Sequence, residues 1–220
     1  MDRLFLKNLV EELSPRVRGR RIRGASLDRE ARILSLFLGP PGSHRLVWSF
    51  LPEAAGVHLL EATRPPKGGE ATPALKKWLG GSTISGLAVA DLDRIATLTF
   101  GGTRLSGRTT SARLVLELIA TRADLYLIEK ESSTILDAFS SSRPRLASGE
   151  TYRAPPPPPQ AAVLASNVAQ FEERLSRRSS LLAASGATPL LVREMRWLIE
   201  REGRSESEAF ARIRARLEEK

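Results

Sequence analysis

A chain of 220 residues, 41% hydrophobic and 27% charged, has room for one large domain or two small ones and the balance of a globular protein in water. Cysteine is absent and there are two histidines, which excludes a disulfide framework, a thiolate metal site and a cysteine nucleophile, and fits a reducing compartment. The 34 Lys and Arg against 25 Asp and Glu leave a net charge of +9, with arginine well ahead of lysine. An Arg-rich proteome would explain the ratio but not the charge excess, which points towards nucleic acid or an acidic membrane surface, with nucleic acid favoured because a guanidinium donates two parallel hydrogen bonds to phosphate.

Leu4, Phe5, Leu9, Val10 and Leu13 fall at helical spacing, so a helix is predicted from Asp2 to a stop at Ser14-Pro15. Arg16, Arg18, Arg20, Arg21 and Arg23 follow, interrupted by Gly19 and closed by Gly24. Five such charges repel one another unless anions or acidic side chains lie near. They read either as a solvated turn or as a phosphate-contacting edge. Two apolar runs, 33–38 and 45–51, flank Gly39-Pro40-Pro41-Gly42-Ser43 and predict a hairpin. A short strand is expected at 57–60, a loop at 63–69, and a short helix at 73–79 with Ala74, Leu75 and Trp78 on one face. Gly80-Gly81 ends that helix and 83–89 is extended.

Residues 92–126 are the densest β-like stretch. Strands are predicted at 96–100, 112–118 and 123–129, with a turn at Gly101-Gly102-Thr103 and an extended run at 104–108. Asp93, Arg94, Glu117 and Arg122 flank runs that should be buried, so they must find partners or stay wet. They read as ordinary ion pairs or as part of a site. A strand at 134–139 follows, and then five prolines from Pro155 to Pro159 form a stiff polyproline segment. That run divides an α+β domain at 1–155, built on a mostly antiparallel sheet with flanking helices, from a helical module at 156–220.

In the module, Val163, Leu164, Val168, Phe171 and Leu175 predict a helix over 162–177, and Leu181-Leu182 a second. Thr188 and Pro189 start a third helix through Leu191, Met195, Trp197, Leu198 and Ile199, closed by Gly203. Ser205 and Glu208 form a capping box for the last helix. The turn at Gly186 looks like a helix-hairpin-helix, a unit that can offer backbone N–H groups to phosphate. No P-loop, GxGxxG, GxSxG or HExxH occurs, and His44 and His58 have no ligand-spaced companions. A binding protein without catalytic residues, metal or cofactor is expected. No apolar run approaches the roughly 20 residues of a membrane span, and no basic region with a long apolar core opens the chain. A cytoplasmic protein without membrane partners is therefore expected.

Four blocks in order resemble the N-terminal domain of the NFACT family, also called fibronectin-binding protein A-like and ribosome-quality-control proteins. Met1-Asp2 with Glu11-Glu12-Leu13 is similar to its opening Asp and "EL" helix. Leu75-Lys76-Lys77-Trp78-Leu79-Gly80-Gly81 and then Asp93-Arg94 are similar to its "LRKxLxGG" and "DR". Glu117-Leu118 with Arg122-Ala123-Asp124 is similar to "EL…R-x-N", and Arg143-Pro144, Gly149, Tyr152 and Pro155-Pro156 to "RxxxPGxxYxPP". Arg3 stands where the family has Gly, and Asp124 where it has Asn. The resemblance implies a bent sheet similar to the N-terminal domain of formamidopyrimidine-DNA glycosylases, followed by the helix-hairpin-helix. It also implies binding of tRNA and of the large ribosomal subunit with a stalled nascent chain, and support for C-terminal alanine tailing. Asp2, Asp93, Arg94, Glu117 and Arg122 would form the tRNA-reading surface. The family's long coiled coil and RNA-binding domain do not occur within these residues, so a fragment or a short relative is expected. Two alternatives are a fibronectin-binding adhesin and a DNA glycosylase; the second needs an N-terminal Pro-Glu and a cysteine zinc finger, where this chain has Met1-Asp2-Arg3 and no cysteine.

Overall fold

A computed structural model describes residues 3–39, 44–51, 54–61, 70–90, 94–103, 109–119, 122–140, 143–156, 165–177, 181 and 189–218. Helix α1 (Arg3–Val17) buries Leu6, Val10, Leu13 and Val17, one stripe at helical spacing. It does not stop at Pro15 as the sequence predicts. Pro15 sits in the last turn, Arg18 N still closes on Ser14 O at 3.0 Å, and Val17 is fully buried, so packing outweighs one lost hydrogen bond.

Strands β1 (Ile22–Asp28), β2 (Ile33–Leu38), β3 (His44–Ser49) and β4 (Gly56–Glu61) form an antiparallel sheet in that order. Strand β1 has no counterpart in the sequence reading, because arginines and Gly24 hide its alternation; its buried residues are Ile22, Ser26 and Leu27. Helix α2 (Pro73–Leu79) is capped by Thr72, whose hydroxyl accepts from Leu75 N at 3.2 Å, and buries Leu75, Trp78 and Leu79. A second antiparallel sheet follows in chain order: β5 (Thr83–Val89), β6 (Ile95–Thr103), β7 (Thr109–Ile119), β8 (Arg122–Glu129) and β9 (Ile135–Ser140). The turn expected at Gly101-Gly102-Thr103 is instead the end of β6. A Cβ on Gly101 would lie 2.8 Å from Thr110 O, so glycine serves close approach of β7 rather than a turn. The loop and extended run expected at 63–69 and 104–108 lie outside the described residues.

The α+β class holds, with antiparallel pairing throughout, and the one bent sheet expected is present as two. Residues 19–22 stitch them together. Gly19 N and Ile84 O are 2.8 Å apart, Ile84 N and Arg20 O 2.9 Å, Ile22 N and Ser82 O 2.7 Å, and Gly81 N and Ile22 O 2.8 Å. On the other side Arg21 O accepts from Gly39 N at 2.8 Å and Ile22 pairs with Leu38 of β2. One core, including Val17, Ile22, Leu36, Trp48, Leu79, Leu98, Leu116 and Leu125, joins both sheets to α1 and α2.

Arg3–Ala154 and Pro155–Lys220 are two compact units. In the second, α3 (Val168–Arg177) leaves 165–167 of the predicted 162–177 helix non-helical, where Asn167 Oδ1 accepts from Gln170 N at 2.8 Å as a cap, and 162–164 lie outside the described residues. Helices α4 (Pro189–Glu202) and α5 (Glu206–Glu218) follow. Gly203 has φ +65 between them, and Glu208 Oε2 accepts from Ser205 N at 2.8 Å in the expected capping box. Phe171 stacks on Phe210 at 4.5 Å between centroids, beside Met195, Leu198 and Ile213. The turn at Gly186 and the cap at Thr188 lie outside the described residues. Trp197, grouped with apolar core positions by the sequence reading, is 53% exposed. Phe171→Ala should remove about 3–5 kcal/mol from the helical unit; hydrogen exchange should show loss of protection in α3, α4 and α5 while β6–β8 keep theirs.

Candidate nucleic-acid interface

The last turn of α1, the turn at Arg18-Gly19 and the start of β1 bring Arg16, Arg18, Arg20, Arg21 and Arg23 around one cleft of about 570 Å³, completed by Pro15, Gly19 and Gly39. These are the five arginines singled out in the sequence, and among the described residues no carboxylate lines the cleft. Arg16 reaches Glu12 at 3.4 Å on the exposed helix surface. Among the described residues no carboxylate pairs with Arg18, Arg20, Arg21 or Arg23. Arg20 Nη1 lies 2.9 Å from His44 Nδ1; a guanidinium only donates, so Nδ1 accepts.

The backbone beneath these side chains is fixed, because residues 19–22 are bonded to both sheets. Gly19 takes φ +78 to make the turn. Two further glycines leave room for guanidinia: a Cβ on Gly39 would lie 3.2 Å from Arg23 Nε, and one on Gly81 3.5 Å from Arg21 Nη2. Mutually repelling cations on a rigid edge, with space before them, are what an extended anion neutralises.

Glu117 and Arg122 belong to a different arrangement. The register sets Glu117 of β7 opposite Asp124 of β8, and Asp124 opposite Ser140 of β9. Both carboxylates are buried. Glu117 accepts from Arg145 Nη2 at 2.7 Å and Nε at 3.1 Å, and from the Tyr152 hydroxyl at 2.8 Å. Asp124 accepts from Arg122 Nη2 at 2.9 Å, the Tyr126 hydroxyl at 3.1 Å, Arg145 N at 3.1 Å and the Ser140 hydroxyl. Arg122 also donates to Arg143 O at 3.1 Å, and Arg145 to Arg153 O at 2.6 Å. The cluster clamps residues 143–153 across the face of the second sheet.

Glu117, which the family resemblance would set in the tRNA-reading surface, is a buried acceptor in this structure. Its carboxylate is fully occluded and its acceptor positions are taken by Arg145 and Tyr152, neither of which the sequence reading assigned to the site. Strand parity, which puts Glu117 on the face of buried Val115, signals that the carboxylate needs a partner but not which segment supplies it. Asp124, where the resembling family has Asn, is likewise an acceptor for four donors. Arg122 remains half-exposed at the rim. Arg94 stands at the start of β6, where its carbonyl accepts from Leu118 N at 2.9 Å. Asp2 and Asp93 lie outside the described residues. The cleft arginines are at the other end of that strand, since Arg21 bridges to Thr83, which pairs with Gly101. Six residues of strand separate Ile95 from Gly101, roughly 20 Å. The structure therefore gathers the five arginines and sets Arg94 apart from them. Among the described residues no group of His, Asp or Glu could hold a metal ion, and no helix is long and apolar enough to cross a membrane.

Burial, then the nearby Asp124 and Glu117 carboxylates, push the Tyr126 phenol up from its ordinary value, and burial followed by Glu117 does the same for Tyr152. The hydrogen bond to Glu117 leads the causes that raise Arg145. A raised phenol pKa favours the neutral form in the folded state, so this stabilisation is complete below the unfolded value of about 10 and is lost as pH rises beyond it. These are the two tyrosines of the chain. Tyrosinate absorption should thus appear only as the protein unfolds in alkali, not before. Tyr152→Phe should cost about 1.5–3 kcal/mol near neutrality through the lost bond to a charged acceptor, and its melting point should depend less on alkaline pH than the parent's.

The chain is 29% identical over 162 residues to the Rqc2 homolog RqcH of Streptococcus pneumoniae, a match covering 70% of this chain and 29% of that protein. It is 27% identical to the protein of the same name from Streptococcus suis, with the same coverage. The chain thus spans under a third of the length of these curated relatives. Among solved structures it is similar to the N-terminal domain of the fibronectin-binding protein PavA from Streptococcus pneumoniae, at 29% identity and TM-score 0.62 over 72% of this chain and 65% of that one. It shares its fold with the fibrinogen binding protein from Staphylococcus aureus, at 22% identity and TM-score 0.77 over 98% of this chain and 82% of that one. The family model for NFACT N-terminal and middle domains matches residues 2–218, and with the fold and its ordered blocks in view, the chain belongs to that family.

Proposed function

We propose that this chain is the RNA-binding portion of a ribosome-associated quality-control factor. In this reading it binds tRNA, acts with the large ribosomal subunit that carries a stalled nascent chain, supports C-terminal alanine tailing, and catalyses no reaction itself. The observation that carries the reading is the cleft of five arginines held on a backbone bonded to both sheets. Such an edge suits phosphates along a polymer, which position the ligand without reading its sequence. The name Rqc2 homolog RqcH, borne by relatives of which the match covers 29%, supports the ribosome quality-control part, while alanine tailing rests on the family resemblance alone.

Selectivity is assigned to the far end of β6. In this reading Asp93, next to Arg94 in sequence, supplies an acceptor for base amino groups, and Asp2 is a further acidic group assigned from the family resemblance. Arg122 contributes from the rim, and Glu117 acts indirectly by holding Arg145 and the 143–153 segment. Two contacts separated by a strand's length fit a macromolecular anion better than a small phosphate ester. A second reading, binding of fibronectin or fibrinogen, is motivated by the names of the similar solved structures.

Fluorescence anisotropy with tRNA, duplex DNA and fibronectin separates these readings, and tRNA is expected to bind tightest. Affinity for tRNA should fall steeply with salt, and Arg18→Ala, Arg20→Ala and Arg21→Ala together should lower the logarithmic salt slope by up to ~3. An unchanged slope means these side chains do not touch phosphate; fibronectin binding alone would favour the adhesin reading. For the far end, Asp93→Ala with Arg94→Ala should leave the melting temperature within ~2 °C and weaken tRNA tenfold or more. Full binding by that folded double variant returns both residues to an ordinary ion-pairing role.

A further inference from the structure

Helix α4 uses one side for the core of its unit, where Val192, Met195 and Leu198 are buried and Leu191 and Ile199 pack beside them. Its opposite side carries Trp197, 53% exposed. Arg193 and Arg201 stand four residues to either side of it, so the three share one face along the axis, with about 6 Å of rise between successive members. Arg196 is adjacent in sequence. All three arginines are exposed, and among the described residues none has a carboxylate partner. Most of the acidic groups around this helix are engaged elsewhere: Glu194 pairs with Arg216, and Glu202 with Arg204 and Arg212. Glu200 is the remaining carboxylate near the ring.

This chemistry narrows the occupant. Leu60 is the other large hydrophobic residue exposed among the described residues, and it belongs to the other unit, so Trp197 is not the centre of an apolar patch. An apolar protein surface or a lipid interior laid over it would bury unpaired guanidinia, which costs more than one indole returns. An occupant that fits must offer a flat ring to the indole and negative charge on both sides of that ring. A single-stranded nucleic acid does this, with a base between two phosphates.

We propose that Trp197 is a stacking platform for an unpaired base of RNA, with Arg193 and Arg201 on the flanking phosphates. The ligand class rests on the RNA-binding reading above, while the contact lies in the helical unit and not in the arginine cleft.

Trp48 and Trp78 are buried, so the solvent-exposed part of the tryptophan emission belongs to Trp197. The whole chain is titrated with an unstructured oligoadenylate of about ten nucleotides and with an abasic ribose-phosphate oligomer of equal length; stacking of this kind is worth roughly 1–3 kcal/mol per base. The oligoadenylate should quench the exposed emission and the abasic oligomer should not. Trp197→Ala should weaken oligoadenylate binding by at least about fivefold, Trp197→Phe should restore most of it, and neither should change the salt slope. Equal quenching by the abasic oligomer, or Trp197→Ala binding within twofold of the parent, overturns the platform. So does an emission shift that follows protein concentration alone, which marks a second copy as the occupant. A parent protein that binds tRNA but fails the oligoadenylate tests loses only this proposal; one that binds no RNA at all loses the RNA-binding reading with it.

Discussion

The main-chain hydrogen bonds of residues 19–22 are the constraint on which the α+β unit depends. Four residues between α1 and the body of β1 bond to Ser82, Ile84 and Gly81 on one side, and to Gly39 on the other. Without them the unit would be two antiparallel sheets meeting only through apolar side chains, which hold surfaces together but do not fix their register. Arginine density on this segment is costly for folding, since charges that would otherwise spread apart are held on one edge. That cost is tolerable because the backbone bonds and the burial of Val17 and Ile22 offset it. The same bonds hold the Cα positions of the arginines on this segment fixed, so that ordering them would cost only side-chain freedom.

The buried charges of β7 and β8 solve a different problem. Taking Glu117 and Asp124 out of water carries a desolvation cost that close pairing only just repays, and apolar residues of similar size could be as stable. What an apolar face would lack is direction. Glu117 and Asp124 receive their donors from positions 122, 126, 140, 145 and 152, which fixes where the chain after β9 returns across the sheet. Ile95, Val115, Tyr126, Ile128 and Ile135 form a small apolar cluster on the same face, and Leu146 and Tyr152 close over it. The polar contacts set the path of the segment and the apolar ones stabilise it.

Much of the fold was legible because its strands alternate and its short helix is punctuated. The hairpin of β2 and β3, the helix from Pro73 to Leu79 and the capping box at Ser205 all carry local signals that tertiary structure leaves intact. The misreadings have a common cause. Pro15, Gly24 and Gly101 are breakers by local propensity, and each is overridden by burial or by the approach of a neighbouring strand. The five arginines were legible as a group, since residues so close in sequence stay close in any fold. The partners of Glu117 were not, because Arg145 and Tyr152 lie 28 and 35 residues away, in a segment outside the strands whose return across the sheet no local signal marks. Trp197 illustrates the limit of periodicity: it neighbours Leu198 in sequence, and one step along a helix turns a side chain by about a quarter of a circle or more.

The separation of the arginine cleft from Arg94 carries the last step. They lie toward opposite ends of β6, the cleft through the bridge of Arg21 to Thr83, and a nine-residue strand cannot bend enough to bring its ends together. A ligand that engages both must therefore be long and must carry charge over its whole length, while varying chemically along that length so that the two ends can be told apart. A repeating backbone with variable bases has these properties. Polyphosphate lacks the variation, and a folded protein surface seldom presents an unbroken line of negative charge. Under the RNA-binding reading proposed above, reach and the difference between the two ends would distinguish nucleic acid from other polyanions: five arginines around a cleft at one end, and at the other an arginine whose neighbour in sequence is an aspartate.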